Sequence, residues 1–386
     1  MKKVKTITFD FKDLPYYVII EIISYYKHEF KKEYKPIKLF GKFNLDRSKK
    51  VFLIFKSIYI ENIQHPINKH NLPFKITSLE VVLSNKFIGD NLPKLITSLK
   101  VIGCIQFIGD ELPVSITRLY VGRCHQFKGD ELPVSITILE VVHCDQFKGD
   151  NLPFKITSLE VVLGNKFIGD NLPKLIKSLK VWFCPKFTGD NLPLKITSLK
   201  VEECEQFIGD NLPKLITNLE VGDCENFIGD KLPELISRLY VGICNKFKGN
   251  KLPEAITRFE VGGCHQFNGG YLPKSITSLK VWRCNNFIGD NLPEAISRLI
   301  IWACDQFVGD NLPVLITSLN VKNCDKFEGD KLPVSITSLE VFWCNKFEGD
   351  KLPVSITSLE VHCCYKFKGD NLPKSINLKE TIYLSQ

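Results

Sequence analysis

Between Asn71 and Asp370 the apolar positions of this chain return every 20 residues, fifteen times, with no insertion or deletion. In the unit that begins at Asn71 they are Leu72, Ile76, Leu79, Val81 and Phe87. Leu79-Glu80-Val81 alternates apolar and polar, which predicts a short strand with Leu79 and Val81 turned inward. Gly89 follows Phe87 where the chain must turn, and a glycine there accepts positive φ. Asp90, an Asp in thirteen of the fifteen units, is expected to accept backbone N–H groups of that turn. Pro93 fixes an extended, non-helical segment before the next strand. Twenty residues cannot bury a core alone, whereas units stacked in register share a continuous one.

The composite pattern I-x-x-L-x-V-x-x-C-x-x-F matches the leucine-rich-repeat pattern phase for phase. The fold class expected is therefore a mainly β solenoid, poor in α/β character. Its parallel sheet holds about 16 coils of 20-residue period, with a small α-helical N-terminal region. Four segments follow: residues 1–56, helical, F-box-like or capping; 57–70, a degenerate first coil containing Ser57-Ile-Tyr-Ile60; 71–370, the fifteen repeats; and 371–386, a C-terminal cap. Lys379 and Glu380 are placed to blunt the last strand edge.

Charge divides the chain unevenly. Residues 1–70 carry 15 Lys/Arg against 7 Asp/Glu, and the remainder carries 36 against 36. The repeats are thus no basic nucleic-acid surface, and no nucleic-acid partner is expected. No secretory signal is evident, and the apolar stretch Tyr16 to Tyr26 is too short to span a bilayer, so no membrane association is expected. A cytoplasmic location with reduced thiols fits.

Thirteen of the fourteen cysteines occupy a single phase, Cys104 to Cys364, with Ser84 and Gly164 in the two gaps. In stacked coils they form a single file of one thiol per coil, not a tetrahedral cage, so no metal site is expected. A small buried side chain at a tight corner is the role that fits. Disulfides between neighbouring coils are sterically conceivable only in an oxidising compartment. Cys363 falls one phase earlier and is expected to be exposed.

The outward phases are those of Ser78, Glu80, Val82 and Leu83. All four tryptophans collect in the last two: Trp182, Trp282, Trp302 and Trp343. Phe183, Phe342, Arg123, Arg283 and His143 join them. Exposed aromatic and Arg side chains anchor protein interfaces, so these nine residues are the candidate partner-binding set, with a protein partner on the concave face. Two patches are expected, one at Trp282 and Trp302 and one at Phe342 and Trp343. The competing role is mutual stacking along the sheet. Arg118, Arg238, Arg258 and Arg298 interrupt the serines of the first outward phase. Opposite charges on adjacent coils are expected to pair and leave a mixed surface that selects no ligand class.

Leu332-Pro-Val-Ser-Ile-Thr-Ser-Leu339 and Leu352-Pro-Val-Ser-Ile-Thr-Ser-Leu359 resemble the core of the FNIP repeat, a leucine-rich-like unit, over about four-fifths of the chain. The name-giving segment is replaced by Phe-x-Gly-Asp in the array; only Ile63-Gln-His-Pro-Ile67 is similar to it. The same core also resembles the bacterial short leucine-rich repeat. FNIP-repeat chains are typical of social amoebae and giant viruses of amoebae, which implies host cytoplasm if the chain is viral. Such chains often carry an N-terminal F-box. Asp13 to Tyr26 resembles the first F-box helix: Asp13 is a candidate N-cap, Pro15 sits in the first turn, and Leu14, Val18, Ile19, Ile22 and Ile23 lie on one stripe. The alternative for this helix is a plain cap on the solenoid core. The second half of an F-box is poorly matched, with Val51 to Ser57 some 15 residues late.

No catalytic residues or cofactor are expected. The seven histidines are scattered over different phases, and every Gly-Asp is a repeat turn and not a phosphate loop. The expected function is a protein-protein interaction scaffold. By the F-box resemblance it acts as substrate adaptor of a Skp1-cullin ubiquitin ligase, with a Skp1-like subunit at the N-terminus. The alternative is a ligand-binding or self-associating repeat scaffold with no ubiquitin link.

Overall fold

A computed structural model describes residues 37–40, 57–62, 67, 69, 72, 75–369, 372–376 and 382–383. The chain divides into two compact units, Met1–Phe187 with Asn191–Lys195, and Thr188–Asp190 with Ile196–Gln386. The first holds β1 (Ile37–Phe40), β2 (Ser57–Glu61), β3 (Ser78–Val82), β4 (Ser98–Ile102), β5 (Arg118–Gly122), β6 (Ile138–Val142), β7 (Ser158–Val162) and β8 (Ser178–Trp182). The second holds β9 (Ser198–Glu202), β10 (Asn218–Gly222), β11 (Arg238–Gly242), β12 (Arg258–Gly262), β13 (Ser278–Trp282), β14 (Arg298–Trp302), β15 (Ser318–Lys322), β16 (Ser338–Phe342), β17 (Ser358–His362) and β18 (Ile382–Tyr383).

Within each unit successive strands pair in parallel. Inside the repeats the register is one period, as in Leu79 opposite Leu99 and Val281 opposite Ile301. At the ends it lengthens by one residue: Ile37 faces Ile58, Ser57 faces Ser78, and Val361 faces Ile382. No helix occurs among the described residues, and the fold is an LRR-like parallel β solenoid of about 15–16 coils. β1 lies within the segment for which the sequence suggests helix. The F-box-like residues Leu14, Pro15, Val18, Ile19, Ile22 and Ile23 lie outside the described residues, as do Lys379 and Glu380.

The core follows the 20-residue pattern. Ile76, Leu79, Val81 and Phe87, and their equivalents as far as Phe367, are buried. The phenylalanines stack from coil to coil with ring centroids 5.7–6.2 Å apart and planes within 17° of parallel. These offset stacks add to the area each ring removes from water. The turn glycine has a second duty beyond its backbone. From Gly89 to Gly369 this phase has φ between 70° and 92°. A Cβ on Gly229 would also stand 2.8 Å from a ring carbon of Phe247 in the next coil. Only glycine lets that ring slide under the turn.

Two phases differ from the sequence expectation. The aspartates expected to bond backbone amides reach the next coil instead: Asp210 pairs with Lys231 at 2.8 Å and Asp330 with Lys351 at 2.7 Å. Asp170 and Asp190 accept from the side chains of Asn191 and Asn211. The cysteine file does more than fill space. Cys184 donates its thiol to the Trp182 carbonyl at 3.3 Å, and Cys364 accepts the N–H of Cys344 at 3.4 Å. Sulfur thereby satisfies a donor and an acceptor at a corner where the backbone has left the sheet. Ser84 keeps the donor role, with its hydroxyl 3.1 Å from the Val82 carbonyl. Thirteen of these thiols are buried, and Cys363, expected to be exposed, is half-buried.

Candidate interaction face

The strand alternation sends the residues at Ser78, Glu80 and Val82 outward, and each is partly exposed while Leu79 and Val81 are buried. The next residue would point inward if the strand continued. It does not, because it turns left-handed. Leu83, Arg123, His143, Leu163, Phe183, Glu203, Asp223, Ile243, Arg283, Ala303, Asn323, Trp343 and Cys363 all have φ between 48° and 55°. The left-handed conformation costs a non-glycine residue roughly 1–2 kcal/mol. Its amide is retained in the sheet ladder, as Arg283 N donates to the Trp302 carbonyl at 2.8 Å and Trp343 N to that of His362 at 2.9 Å. Where neither is glycine, two consecutive residues of a coil therefore reach the surface, which is how Trp282 and Arg283, or Phe342 and Trp343, flank one another.

In the second unit the geometry gathers most of the candidate residues. Trp282 and Trp302 face each other across β13 and β14, with ring centroids 6.4 Å apart and planes tilted by 31°. The Trp282 indole lies flat over Gly262, where a Cβ would come within 1.8 Å of it. The Arg283 guanidinium sits 5.3 Å from the centre of the Trp302 ring, close enough for cation–π attraction. Trp302 remains 41% exposed and Trp343 53%. Lys322, in the same phase on β15, places its ammonium 4.2 Å from the Phe342 ring. His362 stacks on the other side of Phe342 at 4.6 Å and bonds Glu360 at 2.8 Å. The two patches read from the sequence are thus linked by Lys322 into one row over five strands, β13 to β17. Stacking and exposure coexist: the rings support one another on one side and remain open on the other.

In the first unit the candidates are more scattered. Arg123 is exposed on the β5 coil, and His143 on the next is half-buried, edge-on to His125 at 5.6 Å. His125 in turn reaches Asp145 at 2.8 Å. Trp182 lies half-buried opposite Val162, and Phe183 beside it is 40% exposed. Among the described residues no group of three His, Cys, Asp or Glu side chains is placed to hold a metal ion.

Charged side chains of the outward phases largely pair between coils, as expected: Lys100 with Glu80 at 2.9 Å, Lys180 with Glu160 at 3.2 Å, and Lys280 with Glu260. Exposed pairs of this kind contribute about 0–1 kcal/mol each. The arginines of the first outward phase do not follow this rule. Arg238, Arg258 and Arg298 are exposed, and none forms an ion pair among the described residues.

The fold has a solved counterpart. A crystal structure of CroV588, described as a novel circular LRR protein structure, superposes with a TM-score of 0.57 at 21% identity, covering 90% of this chain and 69% of that one. YopM of Yersinia pestis, described as a leucine-rich effector protein, aligns with a TM-score of 0.39 at 17% identity over 84% of this chain and 82% of its own. YopM of Yersinia enterocolitica WA-314 gives 0.43 at 16% identity, over 84% and 76%. Neither a family model nor a curated protein sequence matches the chain. Together with the 20-residue coils, the likeness to CroV588 makes this an LRR-like repeat protein.

Proposed function

We propose that this chain is a protein-binding scaffold, and that the outward sheet face of its repeats captures a protein partner. The observation that carries this reading is the Trp282, Arg283 and Trp302 cluster. The core of those coils is complete without it, since Leu279, Val281, Leu299 and Ile301 fill the inward positions. Large aromatic rings left open on a sheet face, with a guanidinium set against one, are what interface anchors are made of. The LRR-like fold supports the reading, because stacked coils display many outward positions on one rigid frame. No catalytic role is proposed; the outward histidines His143 and His362 have ring or carboxylate neighbours.

The finer reading follows the resemblance to FNIP-repeat chains of amoebae and their giant viruses. In it, residues 13–57 act as an F-box that docks a Skp1-like subunit of a cullin ubiquitin ligase in the host cytoplasm. The sheet face then holds the protein to be ubiquitinated. The full chain carrying Leu14→Asp and Ile22→Asp distinguishes this from a scaffold with no ubiquitin link. The wild-type chain is expected to co-purify with a Skp1-like subunit and the variant to lose it, while both keep the sheet-face partner. Capture of the partner with no Skp1-like subunit on the wild-type chain would leave the plain scaffold and end the adaptor reading.

A further inference from the structure

The scaffold reading leaves the chemistry of the partner open, and the arginines that break the serine phase narrow it. On β11 and β12, Arg238 and Arg258 stand directly opposite each other, and Arg298 follows two strands on, beyond Ser278. At strand spacing of about 4.8 Å the three guanidinium stems cover roughly 14 Å. All are exposed, and like charges set side by side on a sheet are unfavourable unless something anionic lies between them. The acids nearest in sequence do not relieve them. Glu234, Glu254 and Glu294 sit in the turn before each strand and pair with no arginine among the described residues; Glu294 accepts the N–H of Val314. Glu260, the carboxylate within the outward phases of these four strands, is held by Lys280.

Four residues further along the strands, about 13 Å away, lies the second row. It is covered at Gly242 by the Tyr240 ring and at Gly262 by the Trp282 indole, and continues through Trp302 with Arg283 upon it. A cationic row and an aromatic pair thus share the sheet face of β11 to β14. On one side this face is bounded by opposite charge. Glu202, Glu203, Glu220 and Asp223 crowd β9 and β10 and the residues just beyond them. Among the described residues Lys200 answers them, at 3.0 Å from Glu202 and 3.2 Å from Glu220. Burial and the neighbouring Asp223 and Glu202 hold Glu203 above the usual carboxylate range.

From Arg238, Arg258 and Arg298 on one side and Trp282, Arg283 and Trp302 on the other, we infer that this face binds a short, extended acidic peptide segment of the partner. Its two or three carboxylates lie across the arginine row, and an apolar side chain about five or six residues away meets the tryptophans. This deepens the scaffold reading and rests on it. A long uniform polyanion such as single-stranded nucleic acid fits less well, because beyond β11 it meets the carboxylates of β10 and β9.

The test uses the full chain and three labelled probes: a peptide with three glutamates followed five residues later by phenylalanine, the same peptide with lysines for glutamates, and a twelve-nucleotide oligothymidylate. Fluorescence anisotropy and tryptophan quenching report binding. The glutamate peptide is expected to bind best and to bind about tenfold more weakly to the R238E/R258E variant. R238Q/R258Q, which adds no new charge, is expected to weaken it in the same direction, and thermal unfolding of both variants checks that they fold. Tighter binding of the lysine peptide or the oligonucleotide, or variants that bind the glutamate peptide as tightly as the wild-type chain, overturns the inference. If the chain still captures a partner protein while the glutamate peptide fails to bind, the acidic-segment inference falls and the scaffold reading stands.

Discussion

Replacing Gly229 by alanine is expected to destabilise the second unit by about 2–5 kcal/mol. Two terms act together. Gly229 has φ of 75°, a conformation that costs an L-residue roughly 1–2 kcal/mol. The new Cβ would also stand 2.8 Å from the Phe247 ring, and forcing that ring aside costs about 1–3 kcal/mol. Phe247 cannot yield freely, because it is stacked between Phe227 and Phe267 and touches Phe259 edge-on. The internal control is Gly270, one phase later. Its φ is not positive, and a Cβ there meets only the Asn268 side chain, at 3.3 Å or more. Gly270→Ala is expected to be neutral or to stabilise by about 0.4–1 kcal/mol. Guanidinium unfolding followed by tryptophan fluorescence separates the two. Equal midpoints for both variants would mean that the turn does not close over the phenylalanine stack.

Raising the pH from 8 to 11 is expected to unfold the array cooperatively, because its thiols resist ionisation. Burial pushes Cys104, Cys144, Cys184, Cys264 and Cys304 up to about 11, offset in part by backbone N–H groups. It pushes Cys124, Cys224, Cys284 and Cys344 up to about 12. The ordinary value is 9.0. Below pH 9 these thiols are neutral in both folded and unfolded chains, so stability is intact. Above pH 9 the unfolded chain releases protons that the folded array retains, and stability falls until the folded values are passed. Each such thiol removes about 1.4 kcal/mol per pH unit in that window. Several together exceed the roughly 5–15 kcal/mol that holds a typical domain folded. Circular dichroism and thiolate absorbance are expected to change together between pH 9 and 11. At pH 8 a thiol reagent should find little beyond Cys363 until the chain is unfolded. Thiolate absorbance rising near pH 9 with unchanged circular dichroism would contradict the buried file.

The core was readable from the chain because its signal is repeated in every coil. Ile76, Leu79, Val81 and Phe87 fall at the inward positions, and Gly89 turns where a glycine was required. Other features were not readable, for identifiable reasons. The left-handed residue after each strand is Leu, Arg, Phe, Ile or Trp more often than Asn or Gly, so composition concealed it. It is held left-handed by the hydrogen bond its N–H donates to a carbonyl of the next coil, a tertiary effect that overrides local preference. The cysteines read as filler because spacing does not reveal that sulfur answers the N–H of the preceding coil. The arginines at 238, 258 and 298 read as interruptions in a mixed surface. Only the register shows two of them side by side, and among the described residues none of the three has a carboxylate partner. Trp282, Trp302, Phe342 and Trp343 were legible as outward residues, since the inward phases were already full. Their linkage through Lys322 was not, because a lysine at 322 has no meaning until the strands are laid in register.

The central claim is that the constant phases build the coils and the few outward aromatic positions bind the partner. The most direct measurement is partner capture by the full chain carrying Trp282→Ala and Trp302→Ala, with its thermal unfolding recorded in parallel. Capture should be lost while the unfolding temperature stays close to that of the wild-type chain, since the core residues beneath the two rings are untouched. A large drop in stability with partner capture intact would contradict the claim and make the tryptophans part of the framework.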